Sequence, residues 1–279
     1  MKRLFFLSLA LLAWTACGTS TTKDNDPWGN VDPSEANKRS SVVEFSMTSK
    51  AMNRKMYCQV WLPANYDKTK TYPFLYLLHG YETNDQNGRF DRYWNEKGNA
   101  SRIADDYQKS GGVPMVIVMP NGLDKFYVSD GYEKYFEEEL IAAVEAEYKC
   151  NGKRAIAGLS MGGFGTFYHA IAYHDKFTYA YAMSPATNID WRLYGIDFYI
   201  NMIEVFNSQA DKTHFPAFTI ELGKQDNTVS NADAKALANH MVRNGITCEV
   251  IERDGIHYWD FWQECLPKAL KKVGESCNK

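Results

Sequence analysis

The stretch AGLSMGGFG, residues 157–165, decides how the rest of the chain is read. One serine, Ser160, stands among four glycines, with apolar residues on either side. A glycine-rich turn would account for the pattern by itself, so the context has to decide. Residues 154–157 form a short apolar run of strand type, and residues 161–173 space their apolar side chains as a helix does. A strand that turns at once into a helix strains the residue between them and projects its side chain outward. Gly158 and Gly162 keep the flanks free of Cβ atoms, and Gly163 lets the helix pack closely. Ser160 is therefore predicted to be a nucleophile at a helix N-terminus, where the local field favours a developing oxyanion.

Working outward, residues 42–47 and 55–62 alternate apolar and polar side chains, as half-exposed antiparallel strands at a sheet edge do. Residues 74–78 and 113–119 are continuous apolar runs, the mark of strands buried on both faces. Residues 132–148 carry Phe136, Leu140, Ala143 and Val144 at helical intervals. Strand-like runs at 178–183, 215–222 and 247–252 then alternate with helical stretches at 231–243 and 258–272. This alternation predicts an α/β fold with a mostly parallel central sheet and helices on both faces. Sites in such sheets lie at the C-terminal ends of the strands. Residues 186–214 interrupt the rhythm with Trp191, Tyr194, Phe198, Tyr199 and Phe206. This aromatic insertion reads equally as a binding lid or as a small helical patch over one sheet edge.

The chain has 279 residues, 45% hydrophobic and 23% charged, which suits one large single-core domain and argues against disorder or a membrane bundle. Its net charge is −3 with scattered lysines and arginines, so nucleic acid is excluded as an expected partner. Lys2 and Arg3 followed by the apolar residues 4–13 read as an export signal. Ala16-Cys17-Gly18 resembles a bacterial lipoprotein processing site, despite Trp14, which makes Cys17 the expected lipid anchor; a periplasmic or secreted form is the alternative. Residues 18–41 read as a flexible tether and 42–279 as the catalytic domain. An odd number of cysteines remains, Cys58, Cys150, Cys248, Cys265 and Cys277, with no C-x-x-C pair. Their pairing is left open, and cysteine-based zinc or redox chemistry is not expected.

A serine hydroxyl needs a base. Of six histidines, His257 lies in a loop between the last predicted strand and the last helix, where the Ser, acid, His chain order of such folds places the base. His169 and His174 fall on or just after the helix that follows Ser160 and read as packing or surface groups. The acid is expected after a strand between serine and histidine. Asp226, in LGKQDN, fits; Asp254, three residues before His257 and beside Gly255, is the rival and reads as a turn former. Two N–H groups should form an oxyanion hole, Met161 after the serine and Tyr81 after LLHG, with His79 a structural hydrogen-bonding group.

LLHG, VIVMPNG, AGLSMGGFG, GKQD and HYWDFW together resemble the esterase D-related α/β-hydrolases over residues 42–272. That superfamily includes the feruloyl and acetylxylan esterases of carbohydrate esterase family 1, S-formylglutathione hydrolases, small bacterial acyl esterases and mycolyltransferases. HYWDFW, residues 257–262, is similar to the family's H-x-W-x-x-W pattern. The resemblance implies Ser160 as nucleophile, Asp226 as acid, His257 as base and Tyr81 and Met161 as oxyanion donors, although YETNDQNG (81–88) departs from the family's Gly-rich loop. It further implies an α/β-hydrolase fold and a serine esterase without metal or organic cofactor. Feruloyl or acetyl groups on xylan are the expected substrate, an acylated oligosaccharide. Glu82, Trp191 and Trp259 are the expected substrate contacts. A general short-chain acyl esterase, a mycolyltransferase-type acyltransferase and a non-catalytic carbohydrate-binding module remain as alternatives.

Overall fold

The structure, a computed structural model, describes residues 38–82, 88–190, 192 and 197–278. The expected export signal, Cys17 and nearly all of the tether lie outside the described residues, as do Trp191 and Tyr194. The strands are β1 (Ser41–Ser49), β2 (Arg54–Leu62), β3 (Tyr72–Leu78), β4 (Val116–Pro120), β5 (Cys150–Leu159), β6 (Tyr179–Met183), β7 (Asn188–Asp190), β8 (Tyr199–Asn201), β9 (Ala217–Gly223) and β10 (Cys248–Arg253). The helices are α1 (Tyr93–Glu96), α2 (Ala100–Lys109), α3 (Tyr132–Lys134), α4 (Ile141–Tyr148), α5 (Met161–Ala172), α6 (Met202–Asn207), α7 (Asn231–Arg243) and α8 (Trp259–Cys277).

The main sheet runs β1-β2-β4-β3-β5-β6-β9-β10. β1 and β2 are antiparallel to each other, and β2 is antiparallel to β4; every pairing from β4 to β10 is parallel. The mostly parallel sheet and antiparallel entry match the expectation. β3 shows why the central strands read as unbroken apolar runs. Phe74, Tyr76 and Leu78 enter one core with α4, α5, α6 and α7, while Leu75 and Leu77 enter the other with α1, α2 and α8. Burial on both faces removes the period-two signal.

Several boundaries differ from the sequence expectation: β5 begins at Cys150 rather than residue 154, and α8 runs to Cys277 rather than residue 272. β4 starts at Val116 rather than at residue 113, because the Val113 N–H donates to the Tyr107 hydroxyl at 3.0 Å. The helix at 132–148 forms as α3 and α4 joined by a π-type turn at Tyr135–Leu140. The sequence reading missed α2, whose buried residues are only Ala100, Ile103 and Ala104 among polar neighbours. The five cysteines from Cys58 onward are all free thiols. Burial pushes the Cys150 and Cys248 thiols up to about 12, so they are unreactive at neutral pH.

The insertion contains a β7–β8 hairpin and α6. The Asn201 side chain caps α6 by accepting from the N–H groups of Ile203 and Glu204. Met202 and Phe206 are fully buried in the core shared with α5 and α7. The insertion is thus a patch anchored to the sheet layer. Phe206→Ala should remove about 3–5 kcal/mol of stability by opening a cavity under α6, read as a lower midpoint in urea unfolding.

Candidate active site

Ser160 sits between the end of β5 and the first residue of α5 with φ 53° and ψ −115°, a conformation that costs a non-glycine residue about 1–3 kcal/mol. Its neighbours make the turn possible. A Cβ on Gly158 would stand 2.4 Å from the Gly162 carbonyl oxygen, and one on Gly162 would stand 2.3 Å from the Leu78 oxygen. The start of α5 therefore presses on the end of β3 with no side chain between them. The Ser160 N–H donates to Met183 O at 2.9 Å, and its carbonyl accepts from Phe164 at 3.0 Å.

Two loops bring partners to the hydroxyl. His257, between β10 and α8, places Nε2 2.9 Å from Ser160 Oγ and Nδ1 2.7 Å from Asp226 Oδ2. Asp226 follows β9, and its Oδ1 accepts from the N–H groups of Thr228 and Val229 at 2.9 and 3.3 Å. Burial alone would raise the Asp226 carboxyl, but the hydrogen bond and charge of His257 and these two N–H groups outweigh it and hold the carboxyl below its usual range. An ionised Asp226 fixes the tautomer: Nδ1 carries the proton and Nε2 is free to accept the serine proton. The His257 ring meets Trp262 edge to face at 5.0 Å, and Trp262 meets Trp259 the same way.

Gly80 lies so near the turn that a Cβ on it would be 3.4 Å from the Ser160 Cβ. The three carbonyls before Tyr81 are each held by a side chain: Leu78 O by Trp94 Nε1, His79 O by the Tyr127 hydroxyl, both at 3.0 Å, and Gly80 O by His79 Nδ1 at 2.7 Å. His79 Nε2 accepts from the Gly122 N–H at 2.7 Å, so the ring is neutral, and burial lowers its pKa to about 4. His79 is thus a structural hydrogen-bonding group. Among the described residues the N–H groups of Tyr81 and Met161 have no hydrogen-bond partner.

A family model described as "Putative esterase" matches residues 49–273. The chain belongs to that esterase family. It is 27% identical to an acetyl esterase of Caldicellulosiruptor saccharolyticus over 231 residues, 71% of this chain and 81% of the relative. It is 28% identical to an endo-1,4-beta-xylanase/feruloyl esterase of Xylanibacter ruminicola over 164 residues, 53% of this chain but only 22% of that longer protein. A solved ferulic acid esterase superposes with a TM-score of 0.73 at 29% identity, covering 86% of this chain and 99% of that one. The fold of this esterase family member is that of the α/β-hydrolases.

The remaining residues singled out in the sequence fall elsewhere. Asp254 is exposed and pairs with Lys224 at 3.4 Å, apart from His257. His169 is buried, with Nδ1 2.7 Å from Glu137. Glu82 pairs with Lys97 at 2.8 Å through Oε2. Trp259 packs between Trp94 and Trp262, with Gly98 against its ring, as a prop for the His257 wall. Trp191 lies outside the described residues. A cleft of about 680 Å³ lined by Ile103, Tyr107, Pro267 and Gly274 includes none of Ser160, Asp226 or His257, so chemistry rather than volume locates the site.

Two features escaped sequence reasoning. Phe126, left-handed at φ 50°, gathers Tyr81, Phe164 and Phe198 at ring distances of 5.5–6.1 Å, which carries the insertion to the wall beside Tyr81. Its only sequence signal is the turn-rich run NGLDKFYVSDG at 121–131. The second is a buried carboxylate, Glu221, which accepts from the Tyr181 hydroxyl, Arg253 Nε and Lys268 Nζ, each at 2.5 Å. Arg253 also donates to Phe261 O and Glu264 at 2.7 Å, so it fixes the chain on both sides of His257.

The Asp226 carboxyl is depressed in the folded protein, so its bonds stabilise the fold above the unfolded value of about 3.9, and that contribution is lost as pH falls through the lower folded value. Asp226→Asn should therefore make stability less dependent on pH below about 4, as seen by urea unfolding at a series of acidic pH values.

Proposed function

We propose that the protein is a serine carboxylic-ester hydrolase that works through an acyl-enzyme. The observation that carries this reading is the chain of contacts from Ser160 Oγ to His257 Nε2 at 2.9 Å and from Nδ1 to Asp226 at 2.7 Å. His257 takes the Ser160 proton as Oγ attacks the ester carbonyl carbon. The carbonyl oxygen becomes an oxyanion held by the N–H groups of Tyr81 and Met161. Collapse breaks the carbon–oxygen bond to the alcohol, which leaves with the proton from His257. Water, deprotonated by His257, then attacks the acyl carbon and releases the acid and free Ser160. Asp226 stabilises the imidazolium at each stage.

For substrate, we propose an acetyl or feruloyl ester on a xylan-type oligosaccharide. Likeness to an acetyl esterase and to a ferulic acid esterase supports the acyl class, and the half-exposed Tyr81 ring with the partly exposed Phe198, backed by the buried Phe126 and Phe164, offers aromatic surface suited to a phenolic acyl group. The export pattern in residues 1–18, with Cys17 as lipid anchor, supports action outside the cytoplasm, where such polymers are found.

Ser160→Ala should lower kcat on p-nitrophenyl acetate by at least about 10⁴-fold, and a fluorophosphonate should add to wild-type Ser160 alone, as read by peptide mass. The wild type should also cleave methyl ferulate and acylated arabinoxylan fragments. Cleavage of p-nitrophenyl acetate without either would leave a short-chain acyl esterase and remove the polysaccharide reading.

A further inference from the structure

Asp226 and His257 sit on separate loops, and the 2.7 Å bond between them demands that the loops hold a fixed register. β9 and β10 set it up to a point. Their last paired residues are Gly223 and Arg253, and the Lys224 N–H reaches Arg253 O at 2.9 Å. Beyond that the strand ladder ends, two residues short of the acid and four short of the base.

Gln225 closes that gap from both ends. Its backbone N–H donates to Gly255 O at 3.0 Å, and its side-chain Oε1 accepts from the Gly255 N–H at 2.7 Å. One residue thus satisfies both main-chain groups of Gly255, with the side-chain amide standing in for the missing backbone acceptor. The two loops touch so closely here that a Cβ on Gly223 would lie 2.5 Å from Gly255 O, and one on Gly255 would lie 2.2 Å from the Phe261 ring. Gln225 precedes the acid by one residue, and Gly255 precedes the base by two.

We propose that Gln225 is a positioning residue for the Asp226–His257 couple, resting on the reading of Ser160, Asp226 and His257 as a catalytic triad. Asp226 is already oriented by its own loop, through the N–H groups of Thr228 and Val229. The His257 loop is held on its far side by Arg253, and besides the exposed Lys224–Asp254 pair it meets the acid loop through Gln225. Gln225 sets where that loop rests, and through it the alignment of Nδ1 with Oδ2. Because Gln225 is exposed, its side chain adds little to the core, so positioning and folding can be measured apart.

The test uses the full chain and four proteins: wild type, Gln225→Met, Gln225→Glu and Ser160→Ala. Met keeps the length of the side chain and removes the acceptor, whereas Glu keeps an acceptor oxygen. On p-nitrophenyl acetate, Gln225→Met should lose about tenfold in kcat with KM within about twofold, since the residue orients the base without binding substrate. Its acid limb in kcat/KM should move to lower pH by about half a unit, because a misaligned carboxylate favours the imidazolium less. Gln225→Glu should recover most of the lost kcat, and both variants should melt within a few degrees of wild type.

Wild-type kcat and an unmoved acid limb in Gln225→Met overturn the inference while Ser160→Ala remains inactive. Equal losses in the Met and Glu variants overturn it as well, since the acceptor oxygen would then be irrelevant. An active Ser160→Ala protein instead removes the triad reading on which the inference rests, and the inference with it.

Discussion

The strained backbone at Ser160 is the constraint on which the rest of the structure depends. A φ of 53° in a residue with a Cβ persists only where its surroundings over-determine it. They do so here with backbone alone. The Ser160 N–H is tied to Met183 O on the neighbouring strand, while Gly158 and Gly162 allow the start of α5 to lie directly on the ends of β5 and β3. Any side chain at either glycine would overlap a carbonyl oxygen and push the helix away from the sheet. The turn that exposes the hydroxyl is therefore the same contact that packs α5, so the geometry of the site and the packing of the fold cannot be changed independently.

The opposite wall follows the same logic by different means. Where β3 ends, three consecutive carbonyls, those of Leu78, His79 and Gly80, each receive a side-chain donor: Trp94, Tyr127 and the adjacent His79. Pinning Gly80 O fixes the plane of the peptide whose other end is the Tyr81 N–H. A neutral His79 suits this task, because one ring nitrogen donates to Gly80 O while the other accepts from Gly122. The imidazole links two loops and carries no net charge into a buried place, which the low pKa imposed by burial maintains at neutral pH.

Much of this was legible in the sequence, for reasons that can be named. β3 and the second half of β5 were readable because burial on both faces writes a continuous apolar run, and AGLSMGGFG because close backbone contact between a strand and a helix demands glycine on both sides of the bend; the exposed start of β5 leaves no such run. The three side chains that meet at the sheet edge each follow a strand in chain order, so counting strands located them. α2 was not legible, since it buries little more than one isoleucine and two alanines against α8. The ring cluster around Phe126 was not legible either. It depends on left-handed residues at Leu123, Asp124, Phe126 and Tyr127, none of them glycine, that only the surrounding packing imposes. Glu82 and Trp259 were singled out as an acid and a tryptophan near the site, but their partners, Lys97 in one case and two tryptophans in the other, could not be read from the sequence.

The Ser160–His257–Asp226 contacts and the aromatic surface beside them thus rest on different parts of the chain. Ser160, Asp226 and His257 lie beyond the ends of parallel strands, where the sheet holds them and where chain order points to them. The surface around them comes from irregular segments, the left-handed run at 121–131 and the anchored insertion, which meet where Phe126 touches Phe198. Phe206 and Met202 hold the insertion in the core without touching Ser160, so the wall near Tyr81 can change its side chains while the serine, histidine and aspartate stay in register. The aromatic surface beside Tyr81 is thus built by side chains whose identity does not set the backbone geometry at Ser160.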